Sequence, residues 1–318
     1  MEEIIKIIAN RKFSEDFIVI NGNREKIIPE NFKMINEQKG NFLFVDGGNA
    51  ELIKSPDLSL QFIRILGLLL KNNSKTFYVS EFYCLAQAEP KGCRIKNVFL
   101  KGDAPIEKDF VLENEFSGVS AAADLVRRLS EISMAASLAK KMLQNDIIVL
   151  DGTLEPGCRM EADYLLNLHH SAGKCGVNLC SVAKTTSMLT ANGNSIISAM
   201  NHLAPKGIWN YQINKKEIPV IFFAKLHEKS NYVFKCETNS TDEKTNEYML
   251  GCLAKISKDP IFPGYPFGLI ETDRLARVSK RESEILKLEL ASKFGNGWKN
   301  IEKYETALNA HDILDSIG

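Results

Sequence analysis

The chain has 318 residues, of which 44% are hydrophobic and 25% are charged, and its 40 basic side chains balance its 40 acidic ones. This composition is typical of a folded globular protein with one large domain or two ordinary ones. The zero net charge excludes a strongly basic coat protein for nucleic acid, so binding of a polyanion requires a local patch of lysines and arginines.

The first half of the chain predicts a lead-in followed by an antiparallel meander. Residues 1–40 are mixed and polar, with a short helix around residues 4–8. The run at 42–45 predicts a buried strand, and 60–70 predicts a strand or a short helix. Further strands are expected at 76–79 and 94–100.

Residues 120–144 carry the clearest helical pattern in the chain. Apolar side chains recur there at spacings of three and four: Leu125, Leu129, Ile132, Ala136, Ala139 and Leu143. A strand at 147–150 follows, and the order strand, helix, strand indicates an α/β fold.

The second half of the chain alternates short strands with helices. Strands are expected at 177–183, 208–213, 220–226 and 232–236, and helices at 161–171, 245–256, 282–294 and 302–317. We find no internal repeat and no obvious linker. The prediction is therefore a single domain over residues 1–318, with 1–40 as lead-in and the helices of 282–318 completing it.

No stretch reaches the roughly 18 apolar residues that a membrane span requires. The longest candidate, residues 62–70, is interrupted by Arg64, and the first residues lack the pattern of a signal peptide. The seven cysteines are scattered and fit no common zinc spacing. We therefore expect a cytoplasmic protein with buried thiols and no membrane contact.

Two apolar runs, each followed by Asp-Gly, are the strongest functional feature of the sequence. The first run leads to Asp46 and the second to Asp151. An acidic residue at the end of a buried strand lies at the sheet edge where α/β folds place their sites. Two such carboxylates on neighbouring strands suit a hard divalent cation. The alternative is that each Asp only begins a turn.

Glu131 and His311 are further candidate ligands. Glu131 lies in the long helix about twenty residues before Asp151, and the chain between them is long enough to bring it over the strand ends. An exposed salt bridge with Arg127 or Arg128 would explain it equally well. His311 shares a helical face with apolar residues, which also fits a core histidine, although imidazole with carboxylates is a frequent metal environment.

Lys184 and Tyr265 are candidates for substrate contact. Lys184 follows an apolar strand beside Thr and Ser donors, an arrangement that suits a phosphate group or simply a solvated strand end. Tyr265 lies in a loop restrained by two prolines and a glycine, where its ring could stack on a base, offer its hydroxyl to a phosphate, or plug the edge of the fold. A local basic strip is also expected from Lys225, His227, Lys229 and Lys235.

Taken together, these motifs resemble those of NurA-domain nucleases. The resemblance covers roughly residues 42–314 and rests on the order of six short motifs: Val-Asp46-Gly-Gly, Arg-Arg-Leu-Ser-Glu131, Leu-Asp151-Gly-Thr-Leu, Val-Ala-Lys184-Thr, Pro-Gly-Tyr265-Pro and Asn-Ala-His311. It implies an α/β fold with a ribonuclease-H-like mixed sheet flanked by helices. It also implies that Asp46, Glu131, Asp151 and His311 bind catalytic manganese or magnesium, with Tyr265 in the same site.

The resemblance further implies a function. NurA-like proteins are homodimeric DNA nucleases that degrade from 5′ ends, cut single strands, and work with a hexameric HerA-type ATPase in processing DNA ends. Two ions would activate water and relieve charge on the leaving oxygen. By the same expectation Lys184 neutralises the phosphate, Tyr265 positions the nucleotide and His311 helps to transfer a proton.

The sequence leaves some assignments open. The role of Asp273 is undecided, and Glu113 and Glu115 compete with Glu131 because they also lie upstream of Asp151. An actin-like or sugar-kinase-type ATP-binding protein would also carry two Asp-Gly turns at strand ends. A catalytically inactive docking subunit of a ring ATPase is the non-enzymatic alternative.

Overall fold

A computed structural model of the chain describes residues 1–9, 17–20, 23–72, 74–103, 106–113, 117–213, 217–299 and 301. The helices are α1 (Glu2–Ala9), α2 (Val119–Ala139), α3 (Arg159–Cys175), α4 (Ile196–Leu203), α5 (Glu243–Ile256), α6 (Phe267–Ala276) and α7 (Lys280–Phe294). The strands are β1 (Phe17–Ile20), β2 (Asn23–Lys26), β3 (Lys33–Met34), β4 (Phe42–Lys54), β5 (Leu58–Lys71), β6 (Ser74–Glu89), β7 (Gly92–Lys101), β8 (Asp109–Glu113), β9 (Ile147–Asp151), β10 (Asn178–Ala183), β11 (Trp209–Gln212), β12 (Val220–Lys225) and β13 (Phe234–Thr238).

The chain divides into two compact units, each assembled from separate segments. Unit 1 comprises Met1–Phe42, Leu143–Glu155 and Gly176–Ile270. Unit 2 comprises Leu43–Met142, Pro156–Cys175 and Glu271–Gly318.

Unit 1 contains a mixed sheet. Its strands are hydrogen-bonded in the order β3-β11-β12-β13-β10-β9. The β9/β10 pair is parallel, with Ile147 opposite Asn178, and the other pairs of this order are antiparallel. The first four residues of β9 are buried, as expected for a strand in the parallel part of a sheet covered on both faces.

Unit 2 contains the predicted meander. Its strands follow the order β4-β5-β6-β7-β8, and β5 to β8 pair antiparallel in sequence. The stretch at 60–70, expected as a strand or a short helix, is a strand. Helix α2 packs against β5 and α3, and Gly67 in β5 makes room for Leu138 of the helix. The periodic apolar face of α2 is buried at this contact.

The structure adds two helices that the sequence pattern did not predict. Helix α4 is only eight residues long, and the polar residues that precede it are typical of a loop. Helix α6 directly follows Pro266, a residue that favours the first turn of a helix, but it too is short. The predicted helix at 302–317 lies outside the described residues.

No helix in the described ranges is long and apolar enough to cross a membrane.

Candidate metal centre

Asp46 lies inside strand β4 and is buried, with 6% of its surface exposed. The prediction that the strand ends at this residue is wrong, because β4 continues to Lys54. The two glycines after Asp46 serve close packing: a Cβ at Gly47 would lie 2.7 Å from Glu131 Oε1, and one at Gly48 would lie 2.2 Å from the Ala276 carbonyl oxygen. These close approaches hold the β4 segment next to Asp46 against α2 and the end of α6.

Asp151 is the last residue of β9, as the sequence predicts. Gly152 follows with φ of 99°, a left-handed conformation that glycine adopts without strain. The Tyr265 hydroxyl donates to Oδ1 of Asp151 at 3.0 Å, and the Lys184 ammonium lies 2.8 Å from Oδ2. Asp151, Lys184 and Tyr265 are therefore in direct contact, although they are far apart in the chain.

Tyr265 is buried, and aromatic neighbours cover its ring. The ring stacks on Phe262 with centroids 5.3 Å apart and contacts Phe234 at 5.1 Å. The Lys184 ammonium lies 5.7 Å from the ring centroid. Of the alternatives that the sequence left open, this packing matches the one in which the ring plugs the edge of the fold. Tyr265 contacts the site through its hydroxyl, which donates a hydrogen bond to Asp151.

Glu131 forms ion pairs with both neighbouring arginines, but the pairs are not exposed. Its side chain is 4% exposed and contacts Arg127 and, at 3.4 Å, Arg128. The charge of Glu131 raises the pKa of Arg127 against the effect of burial, and the charge of Asp46 adds to it. Arg127 also donates to the Gly47 carbonyl oxygen at 3.1 Å. A guanidinium thus offsets negative charge next to Asp46.

Two carboxylates of unit 2 come together as a candidate metal centre. Asp46 and Asp273 each offer one oxygen, and the two oxygens lie within 4.8 Å of each other. Carboxylate oxygens are the ligands that Mg²⁺ and Mn²⁺ prefer, so the chemistry of this donor set fits the metals expected from the sequence. Asp273 also pairs with Arg277 at 2.8 Å.

Asp273 is the member of this cluster that sequence reasoning left open. It lies in α6, so it does not follow an apolar strand as Asp151 does. Helix α6 itself was not predicted. Glu131 is not part of the cluster found within the described ranges. His311 and Glu115 lie outside the described residues, and Glu113 is an exposed residue of β8.

Glu237 in β13 is a buried carboxylate that sequence reasoning missed. It is fully buried and accepts from the Thr153 hydroxyl at 2.9 Å, the Leu154 backbone N–H at 2.5 Å and the Ser181 hydroxyl at 3.4 Å. It therefore anchors the turn that immediately follows Asp151. Nothing in an alternating strand pattern distinguishes such an anchor from an ordinary strand residue.

Lys235 is neutralised by its neighbours and adds no net positive charge to the predicted basic strip. Its ammonium lies 2.5 Å from Glu237 and 3.1 Å from Glu155. Burial alone would lower the pKa of Lys235, but the hydrogen bonds and charges of these two carboxylates outweigh it and raise the pKa.

No protein-family profile and no curated protein sequence matches the chain. By structure, the chain is similar to the NurA nuclease from Sulfolobus solfataricus, with a TM-score of 0.56 and 15% identity over 92% of this chain and 94% of that one. A weaker likeness is to the catalytic domain of human endonuclease V, with a TM-score of 0.42 and 12% identity over 82% of this chain and 93% of that domain. The ribonuclease-H-like α/β class expected from the sequence is confirmed, and the chain has a NurA-like fold.

Proposed function

We propose that the protein is a metal-dependent DNA nuclease. The observation that carries the proposal is the pair of carboxylates of Asp46 and Asp273, whose oxygens lie within 4.8 Å of each other, on a NurA-like fold. A cluster of hard oxygen ligands is what metal-assisted phosphodiester hydrolysis requires of a protein.

Bound Mn²⁺ or Mg²⁺, in our proposal two ions, would supply an activated water and neutralise charge on the leaving oxygen. Asp46 and Asp273 would hold the metal, and Asp151, Glu131 and His311 are the further ligands that the sequence resemblance implies. Lys184 and Tyr265 would orient the Asp151 carboxylate, because each contacts one of its oxygens. His311 would also help to transfer the proton.

The wider proposal follows the resemblance of the sequence motifs. Residues 1–318 would act as one nuclease domain that degrades DNA from 5′ ends and cuts single strands. It would work as a homodimer in the cytoplasm, with a HerA-type hexameric ATPase, during processing of DNA ends. The NurA-like fold over 92% of the chain favours a nuclease over an actin-like ATPase.

The decisive experiment replaces Asp151 with Asn and measures cutting of single-stranded DNA in Mn²⁺. We expect a loss of at least a hundredfold in kcat, because the amide keeps the shape of the side chain but cannot supply a charged ligand. The matched control is Asp163→Asn, which changes an exposed aspartate of α3 and should leave the rate unchanged.

Near-normal cutting by a folded Asp151→Asn variant would refute the proposed role of this residue. Absence of cutting by the wild-type chain, both alone and with a HerA-type partner, would instead favour the docking-subunit alternative.

A further inference from the structure

We propose that a pocket beside Asp151 receives the base of the nucleotide adjoining the phosphate that is cut. This inference rests on the proposed nuclease function and names the part of the substrate that the site recognises. The pocket lies within unit 1 and has a volume of about 640 Å³, which falls in the range of pockets that hold nucleotide-sized ligands.

The pocket lies directly beside Asp151. Gly152 and Thr153, which directly follow Asp151, line one side. Ala183, the residue before Lys184, lines another, and Lys184 is the residue that contacts Asp151. A nucleotide whose phosphate lies at Asp151 therefore has this pocket within reach of its base.

The charge of the lining selects a neutral group rather than a second phosphate. Lys235 is the basic residue of the lining, and it is held between Glu155 and the fully buried Glu237. The ammonium of the lining is thus neutralised by its neighbours and leaves no surplus positive charge for phosphate oxygens. The carboxylate of Glu155 can instead accept hydrogen bonds from the amino groups of bases.

The remaining lining suits a flat, partly polar ring. Met188 and Ile221 supply apolar contact, and a thioether packs well against an aromatic edge. Thr185, Thr186 and Ser187 supply hydroxyls that can donate to or accept from a base edge. A base inside a duplex is stacked and paired, so a pocket of this kind favours unpaired nucleotides.

The turn that forms one wall of the pocket is anchored before any substrate arrives. Glu237 binds the Thr153 hydroxyl and the Leu154 backbone N–H. A pre-formed wall spares the ordering cost that a mobile loop would incur on binding.

The test compares single-stranded DNA carrying one abasic nucleotide with the same strand carrying a normal base at that position. For the wild-type protein in Mn²⁺, we expect kcat/KM for the bond next to the abasic site to be about tenfold lower, in line with the loss of one stacked base. Ser187→Trp fills the pocket from an exposed loop and should lower cutting of normal DNA about tenfold, mainly through KM, without lowering cutting at the abasic site further. Thr241→Trp, an exposed position outside the lining, is the control and should behave as wild type.

If wild-type and Ser187→Trp proteins cut the two strands in the same ratio, the pocket does not receive the base, and the nuclease proposal still stands.

If no strand is cut by any form, the nuclease proposal fails, and the pocket is tested by binding alone. A single strand carrying 2-aminopurine should then gain fluorescence on metal-free wild-type protein as its base leaves the stack, but not on Ser187→Trp. Equal fluorescence with both proteins would overturn the inference.

Discussion

At Asp151 both carboxylate oxygens already have partners, Tyr265 at 3.0 Å and Lys184 at 2.8 Å. The direction of the side chain is therefore set before a metal binds, which limits the reorganisation that catalysis would require. The aspartate itself could be selected from its place after an apolar strand. The hydroxyl that orients it could not, because Tyr265 lies 114 residues further along the chain.

Tyr265→Phe tests this orientation. The ring and its packing are retained, so the fold should be unchanged, while a hydrogen bond to a charged group is lost. We expect kcat to fall about 10- to 150-fold, which is the change that the ~1.5–3 kcal/mol of such bonds corresponds to, with KM little affected. Steady-state cutting of single-stranded DNA measures both constants. Tyr232→Phe is the matched control, because this exposed tyrosine contacts the same Phe262, and equal loss in both variants would contradict the role of the hydroxyl.

Glu131 is expected to matter for stability whether or not it binds a metal. Glu131→Gln removes the buried carboxylate that pairs with Arg127, and breaking a buried pair costs about 3 kcal/mol. Arg128 keeps its pair with Glu161 at 2.9 Å. Urea unfolding in the absence of metal measures this loss. Adding Arg127→Met should recover part of it, because an unpaired charge is then removed. A single variant as stable as wild type would show that the pairs contribute little.

At the scale of whole elements, the sequence pattern located most strands and the long helix, but it did not find their limits. Strand β4 was expected to stop at Asp46 and runs on to Lys54, because Gly47 and Gly48 remain extended and allow close packing instead of turning. Short helices such as α4 span too few turns for a periodic pattern to show, and tertiary contacts stabilise them.

Helix α3 should make stability depend on pH through His169. Burial lowers the pKa of His169 below its ordinary value of 6.5. The unfolded chain then binds the proton more readily than the folded one, so stability is complete above about pH 6.5 and falls as the pH drops below it. Urea unfolding at pH 7.5 and pH 5.5 should show a smaller difference for His169→Gln than for wild type. His170→Gln changes the exposed neighbouring residue and should keep the wild-type difference; an unchanged difference in His169→Gln would contradict the prediction.

For the molecule as a whole, a metal bound only by the folded chain must raise its stability. At a concentration one hundred times Kd, the gain is about 2.7 kcal/mol, which for a protein of this size corresponds to a rise in Tm of roughly 5 °C. Thermal unfolding with and without Mn²⁺ should show this rise for wild type and for Asp163→Asn. Asp46→Asn should show little or none, and an equal rise in all three would place the ion elsewhere.

The sequence by itself determined the local features of this protein. Continuous apolar runs predicted the buried strands around Asp46 and Asp151, and a periodic face predicted α2, because burial and helical spacing act over a few neighbouring residues. The ordered motifs also indicated the NurA-like fold. Only the tertiary structure decided which distant groups meet: Asp273 with Asp46, and Glu237 with a turn 84 residues away. The strength of a charge or hydrogen-bond partner depends on distance in space, and the separation of two residues along a chain does not determine that distance.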